Sequence, residues 1–192
     1  MTDIRAFLAI ELSQDIQLHL REVQQQLSEM GIRCVRWVST NNIHLTLQFL
    51  GETPRAKLDQ LTLQLKPVVA AQAVFSFQVQ GLGAFPNTHR PRVIWIGLQA
   101  PAGLATLQNV LENSVQSVGI PVEHRPFSPH LTLGRVKREA APSEIQNLSL
   151  ALDELKVGIL GSITVKIVTL FRSDLHPDGP VYTAMAYFPL RG

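Results

Sequence analysis

Apolar positions along this chain switch repeatedly between a period of two and a helical period. Residues 5–12 form an apolar run that reads as a strand. Ser13 then stands where a helix cap belongs, and Ile16, Leu20, Val23, Leu27 and Met30 recur at helical spacing until Gly31. Residues 43–49 alternate as a strand that ends near Gly51. Thr53-Pro54 reads as the cap and first residue of a helix that buries Leu58, Leu61 and Leu65. Residues 74–79 alternate again, residues 81–92 carry turn formers and read as a loop, and residues 93–98 form a strand rich in β-branched and aromatic side chains.

The second half repeats the theme. Leu104, Leu107, Leu111, Val115 and Val118 mark a helix closed by Gly119, and residues 129–133 form a strand. A short helix near residues 143–148 starts behind Pro142. Strands are expected over 155–160, 163–173 and 181–188, with the turn-rich segment 174–180 joining the last two as a hairpin. Helix followed by strand thus appears twice in corresponding order. The pattern predicts an α+β fold of two pseudo-symmetric lobes, each an antiparallel sheet with helices on its outer face, around a central cleft. No linker or low-complexity segment divides the chain, so residues 1–192 read as one domain of two lobes.

Composition narrows the setting more than the chemistry. A formal charge of +2 over 192 residues is too weak to argue for nucleic-acid binding by itself. Basic residues do gather at His89-Arg90-Pro91-Arg92, at His124-Arg125 and over 135–138. Cys34 is the sole cysteine, which excludes an intrachain disulfide and suits a reducing cytoplasm; it reads as packing and not as a nucleophile. No apolar run is long enough to span a bilayer, and the N-terminal run is too short and too charged for a signal peptide. A soluble cytoplasmic monomer is the expectation.

The chemistry lies in a repeated tetrapeptide. His-Leu-Thr-Leu occurs at His44–Leu47 and again at His130–Leu133, the two histidines being 86 residues apart. Side chains alternate along a strand, so each histidine shares a face with its threonine while the leucines turn to the core. Two such strands across a cleft present two imidazoles that titrate near neutrality and two hydroxyl donors. Displacement at phosphorus needs a base on the attacking side and an acid on the departing side. Thr46 and Thr132 can donate to the non-bridging oxygens, where charge builds in the transition state. The scheme calls for no metal and no cofactor, and no His or Cys cluster has zinc-ligand spacing. Either histidine can play either part on this reading.

The two motifs, together with Arg5–Ile10, Arg36-Trp37-Val38, Phe49–Glu52, Pro91–Trp95 and Phe127–Arg135, resemble the 2H phosphoesterase superfamily. Within it they are similar to the RNA 2′,3′-cyclic phosphodiesterase branch, also called LigT-like 2′-5′ RNA ligases. The resemblance implies an enzyme that opens 2′,3′-cyclic phosphates on RNA ends to 2′-phosphates, with ligation through a 2′-5′ bond as the reverse reaction. It implies that His44 is the proton donor, that His130 is the proton acceptor, and that Arg135 joins Thr46 and Thr132 on the phosphate. Competing readings keep the site but change its use. One takes small substrates such as ADP-ribose 1″,2″-cyclic phosphate or 2′-5′ oligoadenylates, and another is a nucleotide- or RNA-binding module without catalysis.

Arg135 raises a geometric question. It lies five residues after His130, so a regular strand turns it away from the histidine face, unless Gly134 marks a bulge. Phe7, Trp37, Phe127 and Tyr182 are candidates for base stacking, though aromatics in such positions are more often core. His19 and His176 have no evident partners in the sequence.

Overall fold

Among the described residues the alternating and helical runs fold into two antiparallel sheets and four α-helices. The computed structural model describes residues 3–122, 126–177 and 179–192. The basic pair His124-Arg125 lies outside the described residues. In chain order the elements are β1 (Ile4–Glu11), α1 (Gln14–Glu29), β2 (Val35–Trp37), β3 (His44–Thr53), α2 (Arg55–Ala70), β4 (Phe75–Phe85) and β5 (Val93–Gln99). There follow α3 (Ala102–Ser117), β6 (Leu131–Val136), α4 (Pro142–Glu154), β7 (Ile159–Val165), β8 (Ile167–His176) and β9 (Gly179–Pro189). The first sheet has the order β3-β1-β8-β9, and the second β2-β6-β5-β4-β7. The α+β class and the paired antiparallel sheets are those that the hydrophobic pattern predicts.

The sheets are not successive halves of the chain. β4, which comes after the first motif strand, pairs with β5 and β7 in the second sheet, while β8 returns to pair with β1 in the first and β9 pairs with β8 at its edge. β2 likewise precedes β3 but pairs with β6. The helices also cross: α1 packs on β7 of the second sheet and α3 on β3 of the first. Neither sheet is complete without strands from the other half, and one contiguous core joins them. That core takes Leu8 and Ile10 of β1, Leu45 and Leu47 of β3, Ile94 and Ile96 of β5, and Leu131 and Leu133 of β6. The buried faces of all four helices complete it.

Several local expectations need correction. Residues 81–85 are strand and not loop. Gly81 takes φ +77°, which absorbs a register shift between Val79 and Leu82, and pairing with β5 then resumes as far as Phe85–Val93. The expected strand over 163–173 is two strands in different sheets, because the chain crosses between them at Lys166. The helix expected over 143–148 continues to Glu154, since Ala151 and Leu152 extend the buried stripe begun by Leu148. It displaces the start of the next strand from residue 155 to Ile159.

The caps also differ in detail. Pro54, and not Thr53, holds the cap position of α2, because the Thr53 hydroxyl donates to the Leu50 carbonyl instead. Ser13 does cap α1 by position, without a side-chain bond to the helix. β8 and β9 run to His176 and from Gly179, so the hairpin connection is far tighter than residues 174–180. Asp178, inside it, lies outside the described residues.

Candidate active site

β3 opens on His44, and His130 stands one residue ahead of β6. Both imidazoles are half-buried and are held in the same way. His44 Nδ1–H donates to the Asn42 carbonyl at 2.8 Å, and His130 Nδ1–H donates to the Ser128 carbonyl at 2.7 Å. A carbonyl can only accept, so both rings carry the Nδ1 proton and are left with Nε2 for proton transfer. Burial pushes both pKa values below the ordinary imidazole range, against the opposing pull of these carbonyls. At His130 the positive charge of Arg135 lowers it further; among the described residues no such cation acts on His44.

Cross-strand register places the threonines. Ala9 of β1 faces Thr46, and Trp95 of β5 faces Thr132. Immediately beyond each threonine the motif strand carries a bulge. Leu47 has no partner on β1, and Leu133 has none on β5. The extra residue reverses the facing of the residues after it. Phe49 therefore pairs with Phe7 on the face of Thr46, and Arg135 pairs with Val93 on the face of Thr132. Arg135 is thus turned to the histidine face by a bulge, although the unpaired residue is Leu133 and not Gly134.

Gly134 serves the packing instead. A Cβ there would meet Val35 Cγ1 at 2.5 Å and Trp37 Cε3 at 2.8 Å, so only glycine lets β2 lie flush on β6. The Leu133 carbonyl is itself pinned from two sides. It accepts from the Val38 N–H at 2.8 Å and from Nε2 of buried Gln24 on α1 at 2.9 Å.

Aromatic rings frame the imidazoles. Phe7 stacks on His44, and Tyr182 meets it edge-on with centroids 5.2 Å apart. Phe171 backs Phe7 at 5.3 Å, and these residues form a small apolar cluster on the face of the first sheet opposite the main core. On the second sheet Phe85 is edge-on to His130 at 4.9 Å, and Trp95 backs Phe85 at 5.3 Å. The Trp95 indole lies across Gly83, where a Cβ would collide with its six-membered ring. Its Nε1–H is buried and has no acceptor among the described residues.

The sheets approach through β3 and β6. A hydrogen bond from Asn42 Nδ2 to the Pro180 carbonyl, 3.0 Å, ties the segment before β3 to β9. Burial raises the Tyr182 pKa, while the charges of Arg135 and Arg5 oppose the rise, so Arg135 of the second sheet is felt at Tyr182 of the first.

Of the stacking candidates, Phe7 and Tyr182 stand at the site. Trp37 packs behind Gly134, and Phe127 packs on the core. His89 and Arg90 stay in an exposed turn, their N–H groups bound by the Asn87 side chain. Cys34 is buried and its thiol points to the Glu144 carbonyl, in keeping with a packing role. Phe49, Phe85, Trp95 and Phe171 are site residues that the sequence reading missed. The 86-residue offset that relates the histidines also relates Phe49 to Arg135 and Ala9 to Trp95, and it is the signal that points to two of these positions.

Comparison with known proteins gives a consistent picture. The model of the LigT-like phosphoesterase family matches twice, over residues 10–95 and 96–182, in step with the two motifs. The RNA 2′,3′-cyclic phosphodiesterase of Methanothermobacter thermautotrophicus is 34% identical over 97% of this chain and 99% of its own. The crystal structure of a Thermus thermophilus protein superposes with a TM-score of 0.82 at 32% identity, covering 98% of this chain and 99% of that one. Escherichia coli LigT complexed with 3′-AMP superposes at 0.78 with 27% identity, covering 98% of each chain.

Proposed function

Because the chain belongs to the LigT-like phosphoesterase family, we propose that it hydrolyses terminal 2′,3′-cyclic phosphates on RNA to 2′-phosphates by acid–base catalysis between His44 and His130. The observation that carries the reading is the matched tethering of the imidazoles, each with Nδ1 on the carbonyl two residues back and Nε2 without a hydrogen bond among the described residues. Water attacks phosphorus and gives a proton to Nε2 of His130. The bond from phosphorus to the 3′ oxygen breaks, and that oxygen takes the proton from Nε2 of His44. Thr46, Thr132 and Arg135 hold the non-bridging oxygens as charge accumulates there. Every proton moves between an imidazole and an oxygen, so no metal is needed.

Two features support this division of labour. Arg135 adds to burial in keeping His130 neutral, which suits a base. Among the described residues His44 has no such cation, and it lies against the face of Phe7, whose π cloud favours an imidazolium, which suits an acid. The symmetry between the motifs is thus broken at the fifth residue after each histidine, Phe49 in one strand and Arg135 in the other.

We read residues 1–192 as one domain, active as a monomer in the cytoplasm. Among the described residues no helix is long and apolar enough to cross a membrane. The test is turnover of a 2′,3′-cyclic mononucleotide and of a short RNA ending in a cyclic phosphate, with excess chelator present. Both are expected to open. Absence of turnover on both, or activity that a chelator abolishes and a divalent cation restores, overturns the proposal.

A further inference from the structure

Arg36 lies directly opposite Arg135 in the register of β2 and β6. Residues paired across strands share a face, so Arg36 stands on the face that carries Thr132 and Arg135, while its neighbours Val35 and Trp37 pack on the other side over Gly134. Like charges placed opposite one another repel. Both side chains are exposed, and among the described residues neither has a carboxylate within ion-pair distance to relieve the repulsion. A charged residue on an edge strand also discourages unwanted pairing, but either face serves that purpose. The position opposite Arg135 calls for an anion shared between them or one for each.

We propose that Arg36 binds the phosphodiester immediately 5′ of the terminal nucleoside and thereby makes the protein prefer RNA ends to cyclic mononucleotides. The inference rests on the function proposed above, in which Arg135 holds the terminal phosphate. Backbones paired in this way are about 5 Å apart, so the two guanidinium groups can take phosphates separated by one ribose. A 2′,3′-cyclic mononucleotide has no second phosphate and leaves Arg36 unused. A strand of two or more nucleotides engages both arginines. The site then reads chain length without reading a base.

The experiment compares unaltered protein, Arg36→Ala and Arg36→Lys on a 2′,3′-cyclic mononucleotide and on a trinucleotide ending in a cyclic phosphate, over a range of salt. Arg36→Ala is expected to lower kcat/KM for the trinucleotide about tenfold, through KM, with turnover of the mononucleotide unchanged. The dependence of log kcat/KM on log salt for the trinucleotide should flatten by roughly 0.7, the share of one phosphate contact on a single strand. Arg36→Lys, which keeps the charge and loses the fork, should recover part of the loss. Equal losses on both substrates place Arg36 on the terminal phosphate or in the scaffold and overturn the inference, as does an unchanged trinucleotide rate. If unaltered protein opens neither substrate, the underlying reading fails and takes this inference with it.

Discussion

The imidazole of His44 lies nearly parallel to the ring of Phe7, with centroids 4.6 Å apart and planes inclined by 24°. One contact therefore sets the plane of the ring while the Asn42 carbonyl sets its rotation and tautomer. His130 is aligned differently, with Phe85 at 83° to it. Equivalent residues of a duplicated motif have acquired unlike surroundings, and the proposed division into acid and base draws on that difference.

The pair should act as a unit. His44→Ala and His130→Ala are each expected to reduce kcat by about a hundredfold or more, and the double variant should be little worse than the worse single one. Single-turnover rates of folded variants check this. A variant that keeps near-normal turnover removes its histidine from the mechanism.

The pH profile should lie on the acid side. One imidazole must be protonated and the other neutral, and burial lowers both, so the alkaline limb of kcat/KM should fall below the ordinary imidazole range. In Phe7→Leu the π face that supports His44 as a cation is lost. Its pKa should drop further, and the alkaline limb should move to lower pH while the acid limb stays. A limb that moves upward contradicts the stacking argument.

Product regiochemistry tests the two roles directly. With His44 beside the 3′ oxygen and His130 beside the attacking water, a 2′-phosphate should accumulate. Phosphorus NMR distinguishes the isomers, as does resistance of the product to a 3′-specific phosphatase. A predominant 3′-phosphate means that the substrate lies the other way round, even if both histidines prove essential.

Gly134→Ala should damage both stability and activity. The added methyl must push Val35 and Trp37, and with them β2, away from β6. Overpacking of this kind costs about 1–3 kcal/mol, readable as a lower midpoint in urea denaturation. Because Gly134 adjoins the bulge that aims Arg135, KM should rise in the variant even where it remains folded. Normal stability would show that β2 can shift freely.

Residue order alone determined a good deal here. Period-two and helical runs set the α+β class, glycines 31 and 119 ended their helices where expected with φ +83° and +69°, and the repeated tetrapeptide placed two imidazoles and two hydroxyls on strand faces. These are local properties, decided by alternation and by backbone conformations that few residues tolerate. What the order of residues left open was settled by pairing between distant segments. That β4 joins the second sheet and β8 the first depends on which edges a common core can cover, and no local pattern encodes it. The bulges at Leu47 and Leu133, which turn Phe49 and Arg135 toward the site, exist only as mismatches between two strands. The distinction between His44 and His130 is of the same kind. It comes from a ring on β1 and a guanidinium on β6, brought close by tertiary structure, and electrostatic effects depend on distance in space and not along the chain.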